Sequence, residues 1–429
     1  MPIDVPVSRA RRIAAVLVVA LGVAPPLGAQ PRPPGATVDE LLALARERTP
    51  ELAVMRLEAE AAAERTGPAG AFPDPMFRIE LQDIGNEGRG GPAALLPNRV
   101  GSTKYTIVQS LPWFGKRELK RAGAEADADA AQRRVDEAWS EVAMRVKSSF
   151  AQHWQVVRME RLVRDVLDLM QRLEDIAQSR YASGLAAQQD AIRAQSERAA
   201  MEGELVMLAG DRRRSIALLN AALARPPGAA IAEPERLRAI PPPAALDVDA
   251  LVERLAARNP TLAVEDARIA SAERARELAY RNRFPDVSVG VSPIQVGSRL
   301  AEWELMFEVA IPLQQTTRRS QERESARMRD AAVARKAGVF VRLQGEIGTA
   351  AAALEAARQT EALIAGRLLP LAQLNFESAV VGYENAKVDF ATLLEAQRQI
   401  RKARQDVIKA QAEQAMRLAE IERIVGEDL

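Results

Sequence analysis

One plan is written twice in this chain. The segment from Thr37, TVDELLALARERTPELAV, returns from Asp247 as DVDALVERLAARNPTLAV, with Pro50 answering Pro260 and the Leu-Ala-Val after it unchanged. A repeated unit of this size calls for a fold with two equivalent halves. Each copy continues as a polar, Ala-rich, helix-like segment up to a Phe-Pro-Asp, at Phe72 to Asp74 and at Phe284 to Asp286, where the period changes. Phe77, Ile79 and Leu81 alternate with Arg78, Glu80 and Gln82; in the other half Val287, Val289 and Val291 alternate with Ser288, Gly290 and Ser292. Alternation by two marks a strand with two unlike faces.

A Gly-rich loop from Gly85 to Gly101 leads to a second strand ending SLPWFGKR at Ser110 to Arg117. In the other half Trp303, Leu305, Phe307, Val309 and Ile311 alternate with Glu304, Met306, Glu308 and Ala310 before Pro312. Strands are expected near 75–84, 102–112, 286–293 and 302–312. Tilted strands of about 10 residues match the apolar thickness of an outer membrane. Two hairpins cannot close around a pore, so their edges need other chains. Alternation sends Arg78, Glu80, Glu304 and Glu308 to a watery lumen and Phe77, Ile79, Trp303 and Phe307 to lipid. Soluble hairpins on a helical body are the bland reading of the same pattern.

After each second strand comes a long helical stretch, 115–181 and 313–381, each roughly 100 Å at 1.5 Å per residue. Apolar residues step by threes and fours at Leu162, Val166, Leu169, Leu173 and Ile176, and again at Leu393, Ala396, Ile400, Ala403 and Val407. That spacing is a coiled-coil seam, and its alanines imply close helices. Pro370 should kink the second long helix or cost it one backbone bond. Gly-bearing turns, YASGLAAQQD from Tyr181 and VVGYENAKVD from Val380, lead to return helices near 187–224 and 388–426. The prolines between Ala224 and Asp249 exclude continuous helix, leaving a segment packed around the helices or a free linker.

The domain plan is therefore a signal segment over 1–29, a first repeat over 30–235, a Pro-rich connection over 236–246 and a second repeat over 247–429. Arg9, Arg11 and Arg12, the apolar run Ile13 to Val23, and the small residues ending at Gly28 and Ala29 read as an export signal cut near Gln30. With 59 basic and 58 acidic residues the chain offers no field for nucleic acid. It has no cysteine, so disulfides and thiolate chemistry are out. His153, the one histidine, sits beside Trp154 and reads as a packed side chain. No catalytic, cofactor or metal-ligating set stands out, and an enzyme is not expected.

Taken together, these residues resemble the TolC-like outer membrane efflux proteins over nearly all of 37–428. The repeat order carries the resemblance, with Asn-Pro-x-Leu at Asn259 to Leu262, Leu-Pro-Trp-Phe-Gly-Lys at Leu111 to Lys116, and Tyr-x-x-Gly-Leu with Asp190 six residues after Gly184. The resemblance implies a mainly α fold with a membrane β-barrel part. It implies a homotrimer with a twelve-stranded barrel in outer-membrane lipid and a helical tunnel through the periplasm. The inner end would dock an adaptor and an inner-membrane pump of the resistance-nodulation-division type. The Pro-Trp-Phe-Gly-Lys-Arg at the helix entry is similar to the heavy-metal efflux branch, as in cobalt, zinc and cadmium exporters. The lipid-anchoring cysteine of copper and silver members is absent.

Matching the family's tip segment to GYENAKVDFATLLEAQ puts its acidic gate positions at Thr392 and Glu395, the first of which is not acidic. Glu384, Asp389 and Asp190 are further carboxylates at the turns, each equally readable as a helix cap or first-turn acid. Rings of carboxylates at a constriction select cations. Gly184, Leu185 and Gly382 are the expected adaptor-docking positions. The competing function is a periplasmic coiled-coil adaptor or scaffold without a pore, which would carry β-rich domains around one helical hairpin.

Overall fold

The computed structural model describes residues 33–85, 92–385 and 387–429, so the export signal expected over 1–29 lies outside the described residues. The two repeats begin with matching helices. α1 (Val38–Arg48) is capped by Thr37, and its counterpart across the chain is capped by Asp247, whose carboxylate accepts the Ala250 N–H at 3.2 Å. Pro50 and Pro260 open the next helices, where a missing N–H costs no intrahelical bond. In the first repeat that helix breaks into α2 (Pro50–Glu64) and α3 (Thr66–Gly70), with Gly67 and Pro68 in the second piece.

The strands β1 (Met76–Gln82), β2 (Ser102–Leu111), β3 (Asp286–Val296) and β4 (Arg299–Ala310) form one antiparallel sheet in the order β1-β2-β3-β4. Pairing of β2 with β3, for example Ile107 with Val291, joins the hairpins of the two repeats. β1 stops short of the expected residue 84 because Asp83 turns to φ 53°, which ends the extended backbone. β3 and β4 reach three residues further out than their alternation suggested; Pro293 and a register shift at Ile294/Gln295 hide the pattern there.

From β2 the chain enters α4 (Lys116–Ala182), 67 residues without a break, and returns as α5 (Gln188–Ala222). The second repeat carries α6 (Val248–Arg258), α7 (Pro260–Arg281), α8 (Gln315–Leu363), α9 (Leu369–Glu384) and α10 (Phe390–Val425). Between α8 and α9 lies a wide turn, Ile364–Leu368, in which the Leu369 N–H bonds Ile364 O five residues back. Pro370 has no N–H to give and its ring crowds the carbonyl four residues before it. The expected interruption is thus present, spread over a single π turn that keeps the helix going.

Three apolar cores form among the described residues. Leu41, Val142, Val146, Phe150 and Leu219 form one around α1, α4 and α5; Leu251, Leu255, Leu343, Ile347 and Ile421 form its counterpart around α6, α8 and α10. The third fills the space between the two long hairpins, with Val163, Val166, Met170, Leu173, Ala177, Ala194, Phe390 and Leu393. Ile176, expected in the seam, is exposed, and Ala177 takes its place. Ala177 and Ala194, both fully buried, let α4 and α5 approach closely where the larger isoleucine would hold them apart.

The Pro-rich connection is tied down and is no free linker. Arg161 and Arg212 both pair with Glu233, the Arg158 guanidinium donates to Glu235 O at 3.2 Å, and the Ala232 N–H bonds Pro34 O at 3.0 Å. Arg238 meets Glu422 at 3.1 Å, and the same carboxylate is held by Lys147 at 2.6 Å. Lys147 and Glu422 are both buried, so removing Lys147 leaves the Glu422 carboxylate to Arg238 alone among cations, and removing Glu422 leaves Lys147 to the exposed Asp428.

Candidate functional site

The sheet has two chemically different faces. Register puts Arg78, Glu80, Lys104, Thr106, Ser292, Glu304 and Glu308 on one side, with Asp286 at its lower end. Lys104 pairs with Glu304 across two intervening strand gaps, Arg78 lies 3.5 Å from Glu80, and the Thr106 and Ser292 hydroxyls meet at 2.9 Å. The other side carries Phe77, Ile79, Tyr105, Ile107, Val291, Trp303, Leu305 and Phe307. Phe77 stacks on Tyr105 at 6.4 Å between centroids, and Trp303, Leu305 and Phe307 are each about 70% exposed. An apolar face this open, backed by a polar one, has no core to bury it among the described residues. Lys104 was not singled out from the sequence, although pairing Glu80 with it in the first hairpin would have found it.

Among the described residues, both outer strands, β1 and β4, leave one edge of backbone donors and acceptors unpaired by sheet partners. None of the described helices is long and apolar enough to cross a membrane.

At the far end, the helices turn. α4 closes with Gly184 at φ 73° and the Leu185 N–H on Arg180 O at 2.8 Å, a geometry that favours glycine and leaves the Leu185 side chain 67% exposed. Gly382 works differently. A Cβ there would lie 3.0 Å from Val388, so glycine lets the second turn fold tightly, with the Lys387 N–H on Gly382 O at 2.8 Å.

The turn carboxylates separate by role. Asp389 caps α10: its Oδ1 accepts the Thr392 N–H at 2.9 Å and the Thr392 hydroxyl at 2.6 Å, and those bonds hold its pKa below the usual range. Glu395 is exposed on the same helix face as Thr392 and Gln399. Glu384 is exposed at the end of α9, and Asp190 is half-buried in the first turn of α5.

Two residues that sequence reasoning passed over link these turns. The Arg180 guanidinium lies 4.9 Å over the Tyr383 ring and donates to Glu384 O at 2.8 Å. Tyr383 in turn packs on Phe390 at 5.3 Å. Its hydroxyl is buried without a hydrogen-bond partner among the described residues, and burial, then the nearby Asp190 charge, raises its pKa. Arg180 therefore joins the end of the first helical hairpin to the end of the second.

His153 is buried, and its Nδ1 meets Ser215 Oγ at 2.9 Å. Ser215 gives its own proton to Arg212 O, so Nδ1 is the donor in that pair. Burial, then the Arg212 charge, lowers its pKa to about 4. Among the described residues no group of His, Asp or Glu is placed to hold a metal ion.

Residues 41–225 match the sequence model of the family described as Outer membrane efflux protein. Among solved structures the chain is similar to the outer-membrane channel OprN, at 18% identity and TM-score 0.74 over 91% of this chain and 89% of that one. It is similar to the outer membrane protein VceC of Vibrio cholerae at 16% identity and TM-score 0.75, over 91% and 96%. The CmeC outer membrane channel of Campylobacter jejuni follows at 12% and 0.72, over 91% and 85%. Identities this low establish a shared fold. No curated protein matches the chain.

Proposed function

We propose, taking as premise a chain of the outer membrane efflux protein family, that three copies form the outer-membrane duct of a tripartite efflux system. The observation that carries this is the half-built sheet: four strands with one apolar face, one polar face and two open edges, set on helices of roughly 100 Å. In lipid an open edge is not tolerated, and joining β4 of one copy to β1 of the next closes three sheets into twelve strands. Arg78, Glu80, Glu304 and Glu308 then line water, with Lys104 among them. The helices follow on into the periplasm as a tunnel wall.

Exposed apolar residues on the outer helices support self-assembly. Val206 and Met207 of α5 and Leu371 and Leu374 of α9 are all more than 60% exposed, as an intersubunit seam requires.

The duct is passive. Substrate comes from an inner-membrane pump, of the resistance-nodulation-division type, through a periplasmic adaptor whose helical tips meet Gly184, Leu185 and Gly382. Glu395 forms the exposed acidic ring at the narrow end, with Glu384 and Asp190 near it, while Asp389 is committed to capping. Divalent heavy-metal ions are the substrate class we place first, on the Pro-Trp-Phe-Gly-Lys-Arg entry to α4. Loss of zinc or cobalt tolerance on deletion of the gene tests the substrate; unchanged tolerance rejects it. Channel formation is tested separately, by conductance of the purified mature chain in planar bilayers, and a water-soluble monomer that never inserts would refute the duct.

A further inference from the structure

A cleft of about 690 Å³ opens between α4, α7 and α8 directly below the sheet. Its charges are unevenly matched. Glu273 is met by Arg329, Glu277 by Arg274 and Glu322 by Arg283, all from the chain itself. Arg276, Arg281 and Glu118, which also line it, have no ion pair among the described residues. Two cations and one anion are thus left facing the same space.

Helix geometry says which side of the wall this cleft opens on. Lys116 bonds Asp286 at 2.8 Å, and Asp286 shares the polar face of the sheet with Ser288, Gly290 and Ser292. At 100° per residue, Lys120 falls beside Lys116, whereas Glu118 lies about 200° away, on the side of the apolar strand face. Phe114, 84% exposed, immediately precedes Gly115 of the lining, and Leu119 and the half-exposed Tyr280 complete it. The cleft therefore sits at the lower rim of the apolar band, where aromatic rings meet lipid headgroups.

We propose that this cleft binds a zwitterionic phospholipid headgroup of the phosphatidylethanolamine type, its phosphate on Arg276 and Arg281 and its ammonium on Glu118. The proposal rests on the reading that the sheet crosses a bilayer. Guanidinium groups take phosphate through paired N–H···O bonds, and a carboxylate accepts from an ammonium. A phosphatidylglycerol headgroup has the phosphate and no ammonium, so it leaves Glu118 unmatched and close to a second negative charge.

The experiment uses the purified full-length assembly, delipidated in detergent and given phosphatidylethanolamine or phosphatidylglycerol at equal mole fraction. Retained lipid is counted by native mass spectrometry, and insertion is read as conductance in planar bilayers. The expected result is a preference for phosphatidylethanolamine of about tenfold, the loss of one charge-assisted bond. Arg276→Ala/Arg281→Ala should retain neither lipid. Glu118→Gln, which keeps size and fold, should remove the preference, and Lys120→Ala on the opposite side of α4 should leave it intact. Equal retention of the two lipids by the unmodified protein, or a preference that survives Glu118→Gln, overturns the site. If the protein conducts normally in that case, the membrane reading stands alone; if the unmodified protein never inserts, both fall.

Discussion

Replacing Arg180 by alanine removes a side chain that joins the tips of both helical hairpins. It takes away a charge-assisted bond to Glu384 O at 2.8 Å and a guanidinium resting 4.9 Å over the Tyr383 ring. The first contributes about 1.5–3 kcal/mol and the second about 0.5–1 kcal/mol. Arg180 is half-buried, which argues for the low end, about 2 kcal/mol per copy. If opening the narrow end parts the hairpins, that loss shifts each copy's closed-to-open balance by roughly 30-fold. Three copies moving together would compound it. Single-channel recording in planar bilayers is the assay, and Arg180→Ala should raise conductance or open time over the unmodified channel. Tyr383→Phe is the control: it keeps the ring and deletes a buried hydroxyl that has no partner among the described residues, so conductance should stay the same and the thermal midpoint should hold or rise. Unchanged current in Arg180→Ala, or equal opening in Tyr383→Phe, would refute the reasoning.

Glu395→Ala should lower cation preference at the narrow end, whereas Asp389→Asn should leave selectivity alone and act on α10 stability; reversal potentials in a salt gradient separate the two, and unchanged preference in Glu395→Ala rejects the ring. Lys147→Met takes the buried ammonium from Glu422, leaving that carboxylate Arg238 and the Leu429 N–H, and should cost about 3 kcal/mol in chemical denaturation; a loss below about 1 kcal/mol would contradict the burial argument. His153 is neutral in the fold with a pKa of about 4, against about 6.5 unfolded, so its contribution is complete above pH 6.5 and falls away as pH drops toward 4. The thermal midpoint should decline over that window by up to about 3 kcal/mol of stability, and His153→Gln should flatten the decline. A photo-cross-linker at Leu185 should capture a periplasmic adaptor, and no adduct at this 67% exposed position would remove it from the docking surface.

Much of the fold is legible in the sequence because the signals are local and repeated. The paired Pro50 and Pro260, the Phe-Pro-Asp before each alternating run and the glycine turns each report a backbone event within a few residues. What was hidden depends on partners far along the chain. Pairing of β2 with β3 joins residues near 107 to residues near 291, and no local pattern announces it. Ile176 fits the heptad arithmetic as well as Ala177 does; the choice falls to how closely α5 approaches. Arg180 and Tyr383 look like ordinary turn residues until both hairpin ends are seen side by side. The π turn at Ile364–Leu368 was half visible, since Pro370 marks where a bond must be lost but not how the helix absorbs it.

The claim that open edges of separate copies close into one cylinder can be tested by cross-linking, because the chain has no cysteine of its own. Cysteines introduced in pairs, one along β1 and one along β4, should under oxidation in the outer membrane give a covalent ladder ending at three chains for at least one register. Chains that stay single across the whole scan, while pairs placed between β2 and β3 cross-link within each chain, would contradict it.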